Sequence, residues 1–164
     1  MNVILTGEKQ IGKSTALDRF LAACSGSVAG FRTVFDSRSN IQNRRLLLCP
    51  LPDGAAEPAV TWTDGKPQAL LSVFDRRVPP LLAQNADLYV LDELGKFETG
   101  AAEMRRAVEA LFESEADVLA VVRLDAPDWM GALKCRPDVT VLTVTAENRD
   151  LIPDQLRRFF ANAK

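Results

Sequence analysis

Two short segments of this 164-residue chain carry the side chains best suited to chemistry. The first is Gly7-Glu8-Lys9-Gln10-Ile11-Gly12-Lys13-Ser14-Thr15, which contains a complete phosphate-binding loop. Gly7 and Gly12 let the backbone turn with its amides aimed inward. Lys13 brings a compact positive charge to the β- and γ-phosphates of a triphosphate, and the Ser14 hydroxyl can ligate Mg²⁺. The second segment is Asp92-Glu93. Asp92 suits a Mg²⁺ held through water, and Glu93 suits orienting an attacking water or taking its proton. A glycine turn and a pair of solvated acids are the bland alternatives. The first loses weight because strand and helix patterns flank the loop, the second because the loop lies upstream of the acids.

The elements around these segments must bring them to one place. Residues 2–6 (Asn-Val-Ile-Leu-Thr) read as a buried strand leading into the loop. Residues 15–23 behind it repeat Ala16, Phe20 and Ala23 on one stripe with Leu17 and Leu21 beside it, as a helix does. That order points the free amides and positive dipole end of the helix at an anion. Residues 87–92 read as a buried strand delivering Asp92 to its carboxyl end, beside the phosphate loop, where open α/β sheets bind ligands.

Further strands are expected at 27–35, 117–123 and 139–144, with a hairpin from 44–49 and 59–63 around the turn-rich 50–54. Helices are expected over 66–83, over 101–114 and from about Pro153, with Pro67 in a first turn and Pro79-Pro80 breaking the first of them. Residues 36–66 are the least periodic and should hold loops at the active-site edge. Strands alternating with helices predict a three-layer αβα architecture with a largely parallel sheet, in a single domain over residues 1–164.

Composition narrows the function classes. Hydrophobic residues at 47% and charged residues at 26% suit an ordinary globular protein. A net charge of −2, with no basic run longer than scattered arginine pairs, gives no footprint for nonspecific nucleic-acid or membrane binding. The chain has no histidine, which removes Ser-His and Cys-His nucleophilic mechanisms and most zinc sites. Cys24, Cys49 and Cys135 have no metal-ligand spacing and read as reduced thiols of a cytoplasmic protein. No apolar run approaches membrane-spanning length, and a strand starting at residue 2 leaves no room for a cleavable leader.

The acidic strand continues as Leu91-Asp92-Glu93-Leu94-Gly95-Lys96-Phe97-Glu98. Here the chain resembles the small P-loop nucleoside-triphosphatases known as cancer-related or thermostable nucleoside-triphosphatases. That family pairs its loop with an Asp-Glu-Ile-Gly-Lys-Met-Glu type of segment, with Leu94 here for Ile and Phe97 for Met. Gly30-Phe31-Arg32-Thr33 and Thr145-Ala146-Glu147-Asn148-Arg149-Asp150 are similar to two further family stretches. The resemblance implies a P-loop NTPase fold and Mg²⁺-dependent hydrolysis of nucleoside triphosphates to diphosphates, with weak preference among bases. It keeps Lys13, Ser14, Asp92 and Glu93 in the roles already argued, and adds Glu98 as a candidate. Residues 37–43 and 62–68 depart from the family pattern, so substrate choice and partner surfaces there are open.

Other residues have two readings each. Lys96 and Arg32 could place positive charge on the departing γ-phosphate, or be solvated surface charges. Arg149 could reach the nucleotide from the last strand, or simply precede the last helix. Lys9 could neutralise phosphate or point outward. Asn148 suits a turn, and Thr99 a helix cap. Trp62 and Trp129 could stack on a base or cover a core edge.

Three functions follow. The first is a nucleoside-triphosphatase, a monomer by default. The second is a phosphoryl transferase whose acceptor pocket could use Arg32, Arg38, Arg44 and Arg45. The third is a slow nucleotide switch acting on a protein partner. The adjacent Glu93 favours the first.

Overall fold

The computed structural model describes residues 1–161. Its elements in chain order are β1 (Asn2–Thr6), α1 (Lys13–Leu21), β2 (Val28–Phe35), β3 (Arg45–Leu51), β4 (Glu57–Thr63), β5 (Lys66–Ala69) and α2 (Leu71–Leu82). They continue with β6 (Leu88–Leu94), α3 (Ala102–Glu113), β7 (Val118–Val122), α4 (Asp128–Leu133), β8 (Val139–Thr143) and α5 (Ile152–Phe159). The strands form one sheet in the order β5-β4-β3-β2-β6-β7-β1-β8. From β2 to β8 all neighbours are parallel, while β3, β4 and β5 extend that sheet as an antiparallel meander. The largely parallel α/β sheet expected from the alternating pattern is therefore present.

Side-chain alternation along the buried strands builds the two outer layers. Val3 and Leu5 of β1, Leu88 and Val90 of β6, and Leu119 and Val121 of β7 pack with Leu17, Phe20, Ile152 and Leu156 of α1 and α5. The intervening residues, such as Ile4, Tyr89, Leu91 and Ala120, face Phe74, Val78, Met104, Val108 and Phe112 of α2 and α3. Strands buried on both faces read as unbroken apolar runs, as these do. Among the described residues no helix is long and apolar enough to cross a membrane.

Four expectations are corrected. Residues 66–69 form β5 rather than a helix start, because Asp64 and Gly65, at φ 50° and 75°, turn the chain back on β4. Pro67 thus sits in an edge strand, where its missing N–H is tolerated. The helix begins at Leu71 and runs through Pro79 and Pro80, held by Val73, Phe74, Val78 and Leu82 in the core. Thr99 does not cap α3. Its hydroxyl donates to the Lys96 carbonyl, while the backbone N–H groups of Glu103 and Met104 donate to Asp75 Oδ1 on α2 at 2.9 and 3.0 Å. The short helix α4 was not expected. It buries Trp129, whose Nε1 donates to the Thr99 carbonyl, so this tryptophan belongs to the core and not to a base.

Candidate active site

The loop between β1 and α1 must bend sharply, because Lys13 already opens the helix. Gly7 has φ 141°, and a Cβ there would stand 2.6 Å from the Val144 carbonyl oxygen. Only glycine lets the loop lie this close to the chain leaving β8. The Lys13 ammonium turns back on its own loop and donates to the Gly7 and Glu8 carbonyls at 2.9 and 2.7 Å. Burial lowers its pKa, while the negative charges of Glu93 and Asp92 oppose that shift.

The sequence pattern put Asp92 beside this loop; in the sheet, β7 lies between β1 and β6. The two segments line one cavity of about 990 Å³ at the carboxyl edge of the sheet. Pairing of β6 with β7 shifts register between Asp92 and Leu94, so Glu93 sits in a bulge. A bulge breaks the alternation of side chains, which is how two successive acids come to share one cavity.

Asp92 is buried, and its Oδ2 accepts a hydrogen bond from Arg32 Nε at 3.1 Å. Desolvation raises its pKa, and the Arg32 guanidinium counters this. Burial likewise raises Glu93, with the Lys13 charge opposing and the Asp92 charge reinforcing. A carboxylate whose proton affinity is raised by burial is a better proton acceptor. Oxygen donors suit a hard cation: one Asp92 oxygen is not engaged by Arg32, and the exposed Ser14 hydroxyl lines the same cavity.

Of the remaining expected residues, Glu8, Lys9, Gln10, Thr15, Lys96 and Glu98 also line the cavity. Ile11 instead packs against the core beneath the loop. Arg32 is not in the lining but braces it, bridging Asp92 to Asp18 Oδ1 of α1 at 2.6 Å. Arg149 is exposed, and its side chain lies outside the cavity against Gly12, within 3.5 Å of where a Cβ would stand. Asn148 closes a turn, accepting from the Thr145 backbone and donating to the Thr143 carbonyl, both at 2.8 Å. Arg38 and Arg45 stay outside the lining, with Arg45 paired to Asp36, whereas Arg44 is part of it.

Sequence reasoning missed Arg123. It leaves the end of β7, between loop and acids, and Asp125 holds its guanidinium through two bonds of 3.1 and 3.2 Å. The available signal was an arginine ending a buried apolar strand, a position that reaches the same sheet edge as Asp92.

Comparison with known proteins decides the family. The model of a family described as NTPase matches residues 2–157. The chain belongs to this NTPase family. A nucleoside-triphosphatase THEP1 of Natranaerobius thermophilus is 29% identical, with 96% of this chain aligned to 94% of that protein. A nucleoside-triphosphatase THEP1 of Thermotoga maritima is 26% identical over 95% and 93% of the two chains. Among solved structures, THEP1 from the hyperthermophile Aquifex aeolicus superposes with a TM-score of 0.80. At 20% identity over 98% of this chain and 99% of that one, it shares the NTPase fold.

Proposed function

We propose that this NTPase family member is a single-domain, Mg²⁺-dependent enzyme that hydrolyses nucleoside triphosphates to diphosphates and phosphate, with broad base tolerance. The observation that carries this reading is the convergence of the phosphate loop and both acids, Asp92 and Glu93, on one cavity. The relatives' names, which specify a nucleoside-triphosphatase and no base, support the same activity.

In this reading the loop amides and the start of α1 bind the β- and γ-phosphates, and Lys13 leaves its loop carbonyls to neutralise them. Ser14 and Asp92 would hold Mg²⁺, which when bound supplies charge neutralisation to the phosphates. Arg32 holds the Asp92 carboxylate in place from behind. Glu93 orients the attacking water and takes its proton as the new P–O bond forms and the bond to the diphosphate breaks. Lys96 and Arg123 add positive charge at the edge where the γ-phosphate departs. Arg149, beside Gly12 of the loop, is assigned to the nucleoside end. The three free cysteines are consistent with a cytoplasmic location.

Glu93→Gln tests the reading most simply, because it removes the base and keeps the shape. It should abolish phosphate release and leave triphosphate binding intact, and unchanged turnover would overturn the role of Glu93.

A further inference from the structure

The cavity is larger than the phosphate machinery needs. Its volume of about 990 Å³ lies at the upper end of the roughly 300–1,000 Å³ typical of small-molecule sites. The loop and the acids line one end. The other end is walled by Phe35, which closes β2, Arg44, which precedes β3, and Trp62 of β4. Phe97, from the stretch after β6, completes it. Trp62 stands edge-on to Phe35 at 5.5 Å and to Phe97 at 5.2 Å between ring centroids.

The Arg44 guanidinium lies over this group, 3.8 Å from the Phe35 centroid and 5.1 Å from that of Trp62. Arg44 Nε is buried with no hydrogen-bond partner among the described residues. Lys96, exposed on the same cavity, stands 5.2 Å from the Phe97 ring. The hydrolytic reading gives Phe35, Arg44 and Trp62 no task.

Strand order says what can face this wall. In the hydrolase reading the γ-phosphate points from the β1 loop toward the acids on β6. The nucleoside must then leave on the opposite side, toward β8, where Arg149 lies against Gly12. The wall is built on β2 to β4, three to five strand positions from β1, or roughly 14–24 Å along the sheet. A triphosphate's own base cannot be at both ends of its phosphate chain.

We propose that Phe35, Arg44, Trp62 and Phe97 form a second ligand site, which takes a planar, anionic heteroaromatic molecule of the nucleoside-monophosphate class alongside the triphosphate. Aromatic faces stack on a base of any identity, and a guanidinium with free donors binds a phosphate. The proposal rests on the hydrolase reading only for the direction of the triphosphate.

The test saturates the protein with Mg²⁺ and the β,γ-imido analogue of ATP, then titrates AMP, GMP, CMP and UMP by calorimetry. At least one monophosphate should bind without displacing the analogue. Its affinity should fall about tenfold or more in both Arg44→Gln and Trp62→Leu, with analogue affinity unchanged. The use of two variants guards against one that misfolds. Absence of binding, displacement of the analogue, or binding indifferent to both substitutions would overturn the proposal. Should the analogue itself not bind, the hydrolase reading fails, and the same titrations of the protein alone still decide whether the wall holds a monophosphate.

Discussion

Glu98 gives the sharpest quantitative prediction. The residue is 3% exposed, and its Oε1 accepts the Gly95 backbone N–H at 2.5 Å, tying down the turn that carries Lys96 and Phe97. Burial pushes its pKa from 4.5 to about 7, and the negative charge of Glu93 adds to this, against the Gly95 hydrogen bond and the Arg123 charge. A raised carboxyl pKa means that the folded chain binds a proton more tightly than the unfolded chain. The stability tied to that proton is complete below 4.5 and is lost as the pH rises through about 7. The interval, at about 1.4 kcal/mol per unit, is worth about 3 kcal/mol.

Glu98→Gln keeps the shape and an oxygen for Gly95 but cannot ionise. Urea unfolding of both proteins from about pH 4 to about pH 9 reads this group against a shared background, because Asp92 and Glu93, also raised, titrate in both. The variant should match the wild type at the acid end and exceed it by about 3 kcal/mol at the alkaline end. A difference that stays flat with pH, or a variant less stable at the alkaline end, would refute the assignment of a desolvated carboxyl.

Three further outcomes are expected. Gly30→Ala puts a Cβ 2.0 Å from the Val90 carbonyl oxygen at φ 121°, and should cost about 3 kcal/mol or more in urea unfolding by prising β2 from β6. Arg32→Ala frees Asp92 from its guanidinium, so the Mg²⁺ concentration for half-maximal phosphate release should rise about tenfold or more, with partial recovery in Arg32→Lys. Chelation of divalent metal should stop phosphate release, and added Mg²⁺ should restore it.

Much of this was legible in the sequence because the signals are local. A loop with fixed glycine and lysine spacing, flanked by an apolar run and a helical stripe, dictates strand, loop and helix together. Asp92 ending an apolar run likewise marks the carboxyl-terminal part of a strand, although β6 runs on two residues to Leu94, past the end at Asp92 that the apolar run suggested. What stayed hidden depends on contacts between distant segments. Nothing near Pro79 and Pro80 announces that burial of Val78 and Leu82 keeps their helix intact. The insertion of β7 between loop and acids, and with it the position of Arg123, is a matter of strand order. The Glu93 bulge exists only in register with β7. The hairpin into β5 was within reach, since Asp64-Gly65 is a strong turn pair, but the helical pattern that follows overshadowed it.

The most direct measurement is phosphate release from ATP, GTP, CTP and UTP with Mg²⁺ by the wild type, Lys13→Ala and Glu93→Gln. Turnover of several triphosphates by the wild type should fall at least about a hundredfold in each folded variant, with Glu93→Gln still binding triphosphate. Tight triphosphate binding without release by the wild type, or full turnover in either variant, would contradict a hydrolase built on the loop and the acidic pair.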